Sequence, residues 1–174
     1  PTTVTATAGD GQASVAFSGA VTNGSTISNY TVKAYDSNGN EVTGATCTTS
    51  TSPCTITGLA NGSEYTFKVV TNSTVYGAGT TTPSLPSSSS NAIIPATAPD
   101  SPSGIEVTAG TGKISVSWDE PASNGSAILS YTVKAYDSNG NEVTGATCVA
   151  TAPARTCDVS ANLVAGTSYT FKVT

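Results

Sequence analysis

The chain has 174 residues, 37% of them hydrophobic, only 10% charged, and a net charge of −5. Low charge together with this much apolar content excludes a charge-swollen disordered chain. The acidic balance, with no basic patch, excludes an electrostatic footprint for nucleic acid or an anionic membrane surface. No apolar run approaches the roughly 18 residues that span a bilayer, and no signal peptide is evident.

In chain order, short alternating runs bounded by Gly, Asn, Ser and Pro predict strands and turns. A first strand is expected over 2–8 and a second over 12–18, with Val15 and Phe17 on one face. Residues 21–26 read as a loop. From Tyr30, residues Val32 and Ala34 alternate with Thr31, Lys33 and Tyr35, the pattern of a strand with one buried face. Asp36-Ser-Asn-Gly-Asn40 predicts a hairpin, because Asn-Gly tolerates the positive φ angles of a type I′ turn. A further strand runs to Cys47, then 54–59, then 65–73 with Tyr65, Phe67 and Val69 inward. A long Gly/Ser/Thr/Pro loop over 74–89 precedes a last strand over 91–95. Residues 97–101 read as a linker, shortened and stiffened by Pro99 and Pro102.

The pattern then starts again. YTVKAYDSNGNEVTGATC occurs at Tyr30–Cys47 and at Tyr131–Cys148, an offset of 101. That period exceeds solenoid repeats of roughly 20–50 residues and matches a small domain. Two domains are expected, 1–96 and 102–174. The offset grows to 103 at Cys157 and 104 at Leu163, placing insertions beside the strand at 54–59, where loops absorb length cheaply. Pro1 matches Pro102, so the chain begins at a repeat boundary. Tyr169–Thr174 covers the first half of a strand, and nothing after it corresponds to 91–95. The expectation is either a fragment of a longer array or an edge beside Phe171 and Val173 filled by a donor strand from another copy.

Both repeats resemble fibronectin type III domains of the kind strung along bacterial secreted and surface proteins. The resemblance rests on an aromatic in the second strand (Phe17, Trp118), the run from Tyr30 or Tyr131, and a Leu six residues before a Tyr (Leu59…Tyr65, Leu163…Tyr169). The last pair resembles the tyrosine corner. The resemblance implies an all-β fold of two tandem immunoglobulin-like sandwiches, the second lacking its last strand. It says little about function, since one fold serves many roles.

Cys47 and Cys54, and likewise Cys148 and Cys157, sit at equivalent places in the two repeats. Local disulfides are expected, with free thiols and metal as alternatives; a zinc site wants four close ligands, often with His, and the chain has no His. Each bridge would close a loop of about 8–10 residues, worth roughly 2.5 kcal/mol on the chain-entropy model, and would imply an oxidising compartment, extracellular or cell-surface. Asp36–Glu41 and Asp137–Glu142 invite a calcium reading, but a calcium loop of the EF-hand type needs Gly sixth and Glu twelfth. Here those positions hold Glu41 and Cys47, so the hairpin stands. Asn23, Asn29, Asn61, Asn72 and Asn124 occupy glycosylation sequons, which permit glycans without arguing for them.

Catalysis has little to draw on. No His supplies a general base, and Asp119 and Glu120 read as solvated turn charges. No catalytic, cofactor-binding or metal residue is assigned. The expected function is a non-catalytic extracellular structural or spacer module of a repeat-containing protein, alone or as part of a polymeric surface assembly, with other copies or neighbouring repeats as partners and no membrane insertion. The alternatives are accessory domains of a secreted polysaccharide-degrading enzyme, or an adhesive module binding through the 74–89 loop, whose one aromatic is Tyr76.

Overall fold

A computed structural model describes residues 1–74 and 80–174. Tyr76 lies outside the described residues. The chain divides into two compact units, Pro1–Thr97 and Ala98–Thr174.

In the first unit, β1 (Thr3–Gly9), β2 (Gln12–Ser18) and β5 (Cys54–Thr57) form one antiparallel sheet in the order β1-β2-β5. The facing sheet has the order β4-β3-β6-β7, from β3 (Thr26–Asp36), β4 (Glu41–Thr49), β6 (Tyr65–Thr74) and β7 (Thr81–Pro83). Period-two alternation decides which side chains meet between them. On β2, Ala13, Val15 and Phe17 are buried while Gln12, Ala16 and Ser18 are exposed. On β6, Tyr65, Phe67, Val69 and Thr71 turn inward. The core they build includes Val15, Val32, Ile56, Phe67 and Val69, all at or near zero exposure.

The second unit repeats this plan. β8 (Ser103–Gly110), β9 (Lys113–Asp119) and β12 (Thr156–Val159) make one sheet, and β10 (Ser130–Tyr136), β11 (Glu142–Thr151) and β13 (Thr170–Val173) the other. Val116, Val133, Ala135 and Val159 fill the centre. Ala98 and Asp100 are tied to this unit: the Asp100 N–H donates to the Ala122 carbonyl at 3.0 Å, and the Asn124 amide donates to the Ala98 carbonyl at 3.2 Å and the Asp100 carboxylate at 2.9 Å.

Three local expectations change. The third strand starts at Thr26, four residues before Tyr30, because Ile27 and Asn29 pair with Ser73 and Asn72 of β6. The hairpins at Asp36 and Asp137 are present, but only Gly39 and Gly140 have positive φ, 82° and 81°. A type I′ turn needs two such residues. Here the Gly39 N–H closes an ordinary turn on the Asp36 carbonyl at 2.9 Å, and glycine then supplies the one left-handed residue. The Asp36 carboxylate caps the loop by accepting from the Asn38 and Asn40 N–H groups, both at 2.9 Å. The largest change is over 91–95. These residues form no strand; Ile93 alone makes a bridge, to Tyr65. The strand beside β6 is instead β7, inside the stretch read as loop.

Candidate functional site

Each sandwich has two open sides, where the outer strands of its sheets come together. In the first unit one side lies between β4 and β5. Cys47 on β4 and Cys54 on β5 form a disulfide there, with Cα atoms 6.3 Å apart. Since β4 and β5 belong to different sheets, the bridge staples the two layers together. Cys148 on β11 and Cys157 on β12 do the same in the second unit, at 6.2 Å.

The other side lies between β1 and β6, and residues 84–96 close it. Ser84, Ser87 and Ser90 recur at every third position and form a ladder along β6. Their N–H groups donate to the carbonyls of Thr71, Val69 and Phe67 at 2.8, 3.0 and 2.9 Å. Their hydroxyl oxygens accept from the N–H groups of the same three residues, each at 3.0 Å. Each hydroxyl then donates to the carbonyl of the following residue, at 2.7 to 2.8 Å. Ile93 exchanges a pair of backbone bonds with Tyr65, both 2.9 Å. Thus three residues of the segment cover two of β6. Two strand residues span about 6.8 Å, too short for three extended residues, so the segment is contracted and its serine side chains supply acceptors that a strand would supply from its backbone. Asn91 reaches the opposite sheet: its side chain accepts from the Ala6 N–H at 2.9 Å and donates to the Ala6 carbonyl at 3.0 Å. The segment finishes with Gly62 N–H donating to the Pro95 carbonyl and Ala96 N–H to the Gly9 carbonyl, at 2.9 and 3.3 Å.

In the second unit a groove of about 340 Å³ lies between the β8–β9 turn and residues 160–169. Its walls include Gly110, Leu163, Gly166 and Tyr169, the counterparts of Gly9, Leu59, Gly62 and Tyr65. Thr174 exchanges both backbone bonds with Thr132 of β10, at 2.7 and 3.0 Å. Antiparallel alternation then turns the N–H groups of Phe171 and Val173 away from β10, toward the outer edge of β13. On the facing sheet, Ile105 and Val107 are 39% and 49% exposed; their counterparts are half-buried Val4 and Ala6, which is 5% exposed.

The remaining expected residues fall as follows. Phe17 and Trp118 are buried at equivalent places on β2 and β9, tilted against Tyr30 and Tyr131 with ring centroids 4.7 and 5.2 Å apart. The Trp118 indole N–H is buried without a partner among the described residues. The Tyr65 hydroxyl accepts from the Ala60 N–H at 3.1 Å over a buried Leu59, and the Tyr169 hydroxyl from the Val164 N–H at 2.9 Å beside a half-buried Leu163. Both are the tyrosine-corner contact. Asp119 and Glu120 are exposed, and Glu120 lies 3.7 Å from Arg155. Among the described residues no three acidic, Cys or His side chains converge as a metal site, and no helix is long and apolar enough to cross a membrane. Of the sequons, the side-chain amides of Asn61, Asn72 and Asn124 are already donating, to Asp10, to Asn29 and Thr31, and to Ala98 and Asp100; Asn23 is exposed on a turn at φ 45°.

The serine ladder was not expected from sequence. Its signal is the three-residue spacing of Ser84, Ser87 and Ser90 after Pro83, which period-two and helical templates both pass over.

The profile of the fibronectin type III domain matches residues 1–90 and 100–174. The chain belongs to the fibronectin type III family. Among solved structures, it is similar to the FN1–FN3 domains of chicken CNTN1, at 12% identity and a TM-score of 0.46, covering 99% of this chain and 91% of that one. It is also similar to a two-domain fibronectin type III segment of chicken tenascin, at 20% identity and a TM-score of 0.43, covering 99% and 89%. Fibronectin type III domains are commonly non-catalytic extracellular modules, and the fold with its two disulfides is consistent with that setting.

Proposed function

We propose that this pair of fibronectin type III units is a non-enzymatic structural spacer of a secreted or cell-surface protein built from repeats. The observation that carries this reading is the duplicated staple. The disulfide joining the two sheets recurs at the same place in both units, beside an eighteen-residue stretch reproduced without change. A cross-link there limits how far each sandwich extends when its ends are pulled. It also resists sheet separation in an oxidising, chaperone-poor environment. What repeats unchanged is therefore framework, central strands and hairpin, rather than the loops where binding chemistry usually resides.

The test has two parts. Pulling the oxidised chain from its ends should give two separate unfolding events, and reduction should lengthen each by the chain enclosed between its cysteines. Panels of polysaccharides, peptides and esters, together with a glycan array, should show neither turnover nor capture. Turnover that disappears on Asp119→Asn or Glu120→Gln would make the chain an enzyme and sink the spacer reading; saturable glycan capture would replace it with an adhesive one.

A further inference from the structure

We propose that Ser88 and Ser89 of the first unit are sites of O-linked glycosylation. The composition around them is the first ground. Residues 80–90 hold eight Ser or Thr, two Pro, one Leu and no charged residue, the make-up of segments that carry sugars on their hydroxyl oxygens. The geometry is the second, and it selects among these hydroxyls. Ser84, Ser87 and Ser90 face β6. Each of their oxygens accepts a backbone N–H, and each of their protons goes to a carbonyl. The residues between these rungs turn outward. Between the first two rungs they are Leu85 and Pro86, between the last two Ser88 and Ser89, and all four are exposed. The hydroxyls of Ser88 and Ser89 make no hydrogen bond among the described residues.

The transfer needs such a hydroxyl. Its oxygen attacks the anomeric carbon of a sugar carried on a phosphate leaving group. The new carbon–oxygen bond replaces the bond to phosphate, which departs with its electron pair, and the serine proton passes to a base of the transferase. Ser88 and Ser89 have lone pairs and proton free for this step. At Ser87 or Ser90 the same step would take the acceptor from the Val69 or Phe67 N–H and the donor from a carbonyl. The rungs on either side hold the backbone, so Ser88 and Ser89 are presented without unfolding. Sugars there would stand beside the free side of β6, where a bulky, hydrated group blocks pairing with a strand of another chain. This modification rests on the secreted or cell-surface setting proposed above.

The experiment maps sugars in the protein isolated from the cells that make it, by electron-transfer fragmentation and mass spectrometry. Expected is a hexose or N-acetylhexosamine on Ser88, Ser89 or both, and none on Ser84, Ser87 or Ser90. In a second arm, a polypeptide N-acetylgalactosaminyltransferase with its nucleotide sugar acts on the folded, sugar-free chain and on a peptide of residues 80–97. Ser88 and Ser89 should react in both. Ser87 and Ser90 should react about tenfold less in the folded chain than in the peptide, the effect of one hydrogen bond lost. Ser88→Ala with Ser89→Ala should remove the added mass and leave urea unfolding of the first unit unchanged. Bare Ser88 and Ser89 in the isolated protein, no reaction there in the folded chain, or equal reaction of Ser87 and Ser90 in chain and peptide overturns the proposal. None of these results alters the two unfolding events under force, so the spacer reading stands or falls separately.

Discussion

The two units share a framework and differ in how their sides are closed. In both, a disulfide joins the sheets on one side. On the other, the first unit is sealed by residues 84–96, and Leu59 and Tyr65 beneath them are buried. In the second unit Leu163 and Tyr169, which line a groove beside the β8–β9 turn, are half-buried. The same tyrosine-corner bond forms in both units, at 3.1 and 2.9 Å. The corner is therefore local to the crossover loop and does not depend on the segment that covers it. The central strands likewise hold their register, with Val15 opposite Cys54 and Val116 opposite Cys157. The inner strands specify the same core register in both units.

The largest effect expected on this comparison comes from the one aromatic that differs. Trp118→Ala should cost the second unit roughly 3–5 kcal/mol, as large-to-small core changes do, a large share of a small domain's stability. The first unit, with Phe17 in that place, should unfold unchanged. Trp118→Phe should cost under about 1.5 kcal/mol, because it reproduces the first unit's solution and removes a buried N–H that has no partner among the described residues. Urea unfolding followed by unit-resolved NMR signals separates the transitions. A Trp118→Ala loss under about 1 kcal/mol would place the residue outside the working core.

Next come the staples. Cys47→Ala with Cys54→Ala, or the pair Cys148→Ala with Cys157→Ala, should each cost about 2.5 kcal/mol in its own unit. In the first unit Asn91 and Ala96 still bond the opposite sheet once the cysteines are gone. Asn91→Ala should thus lower the first unit's stability further after reduction. No further loss would show that 84–96 contributes little to closure.

That contribution is tested directly by Ser90→Ala. It leaves the buried Phe67 N–H without its acceptor, a loss of about 1–3 kcal/mol, confined to the first unit. Tyr65→Phe should cost about 1 kcal/mol by the same reasoning at the Ala60 N–H. Tyr169→Phe should cost less, since its bond is exposed. Equal losses for the two tyrosines would mean that cover does not strengthen the corner.

The strands at Gln12–Ser18 and Tyr65–Thr74 were legible because their alternation is strict and their flanks carry Gly, Asn or Pro. The cysteine pairs were legible because short repeated spacing leaves few other readings, although their span between two sheets emerged only from the pairing of β4 and β5 with different neighbours. Residues 84–96 defeated the same reading for a physical reason. Strand templates look for side chains alternating between core and solvent. Here serine side chains stand in for backbone acceptors, so the informative period is three and the residues are polar. Asn38-Gly39 was misread in the same way: the Asp36 carboxylate, not a second left-handed residue, holds the loop.

The smallest expected difference between the units is in acid. The backbone N–H of Asn40 holds the Asp36 carboxyl below the ordinary carboxylate range, with the Asn40 side chain and Asn38 helping. Asp137 is lowered chiefly by the Asn141 N–H. Asp158 is lowered first by the Lys113 ammonium and then by the Ser115 hydroxyl. For a depressed carboxyl the unfolded chain binds protons first, so the stabilisation is present above about pH 4 and lost as pH falls through the folded value. The second unit has two such groups and the first has one, so the second should lose stability faster on acidification. At the other end, Glu41 and Glu142 raise Lys33 and Lys134. Their stabilisation is present below about pH 10 and fades as pH rises through the folded value. With no His in the chain, both units should hold a level plateau between about pH 5.5 and 9. All of these groups are solvent-exposed, so salt should flatten both limbs. Calorimetry across pH, with Asp158→Asn as the control that brings the second unit's acid limb toward the first's, decides it. A drop in either transition between pH 6 and 8, or identical acid limbs in the two units, would break the assignment.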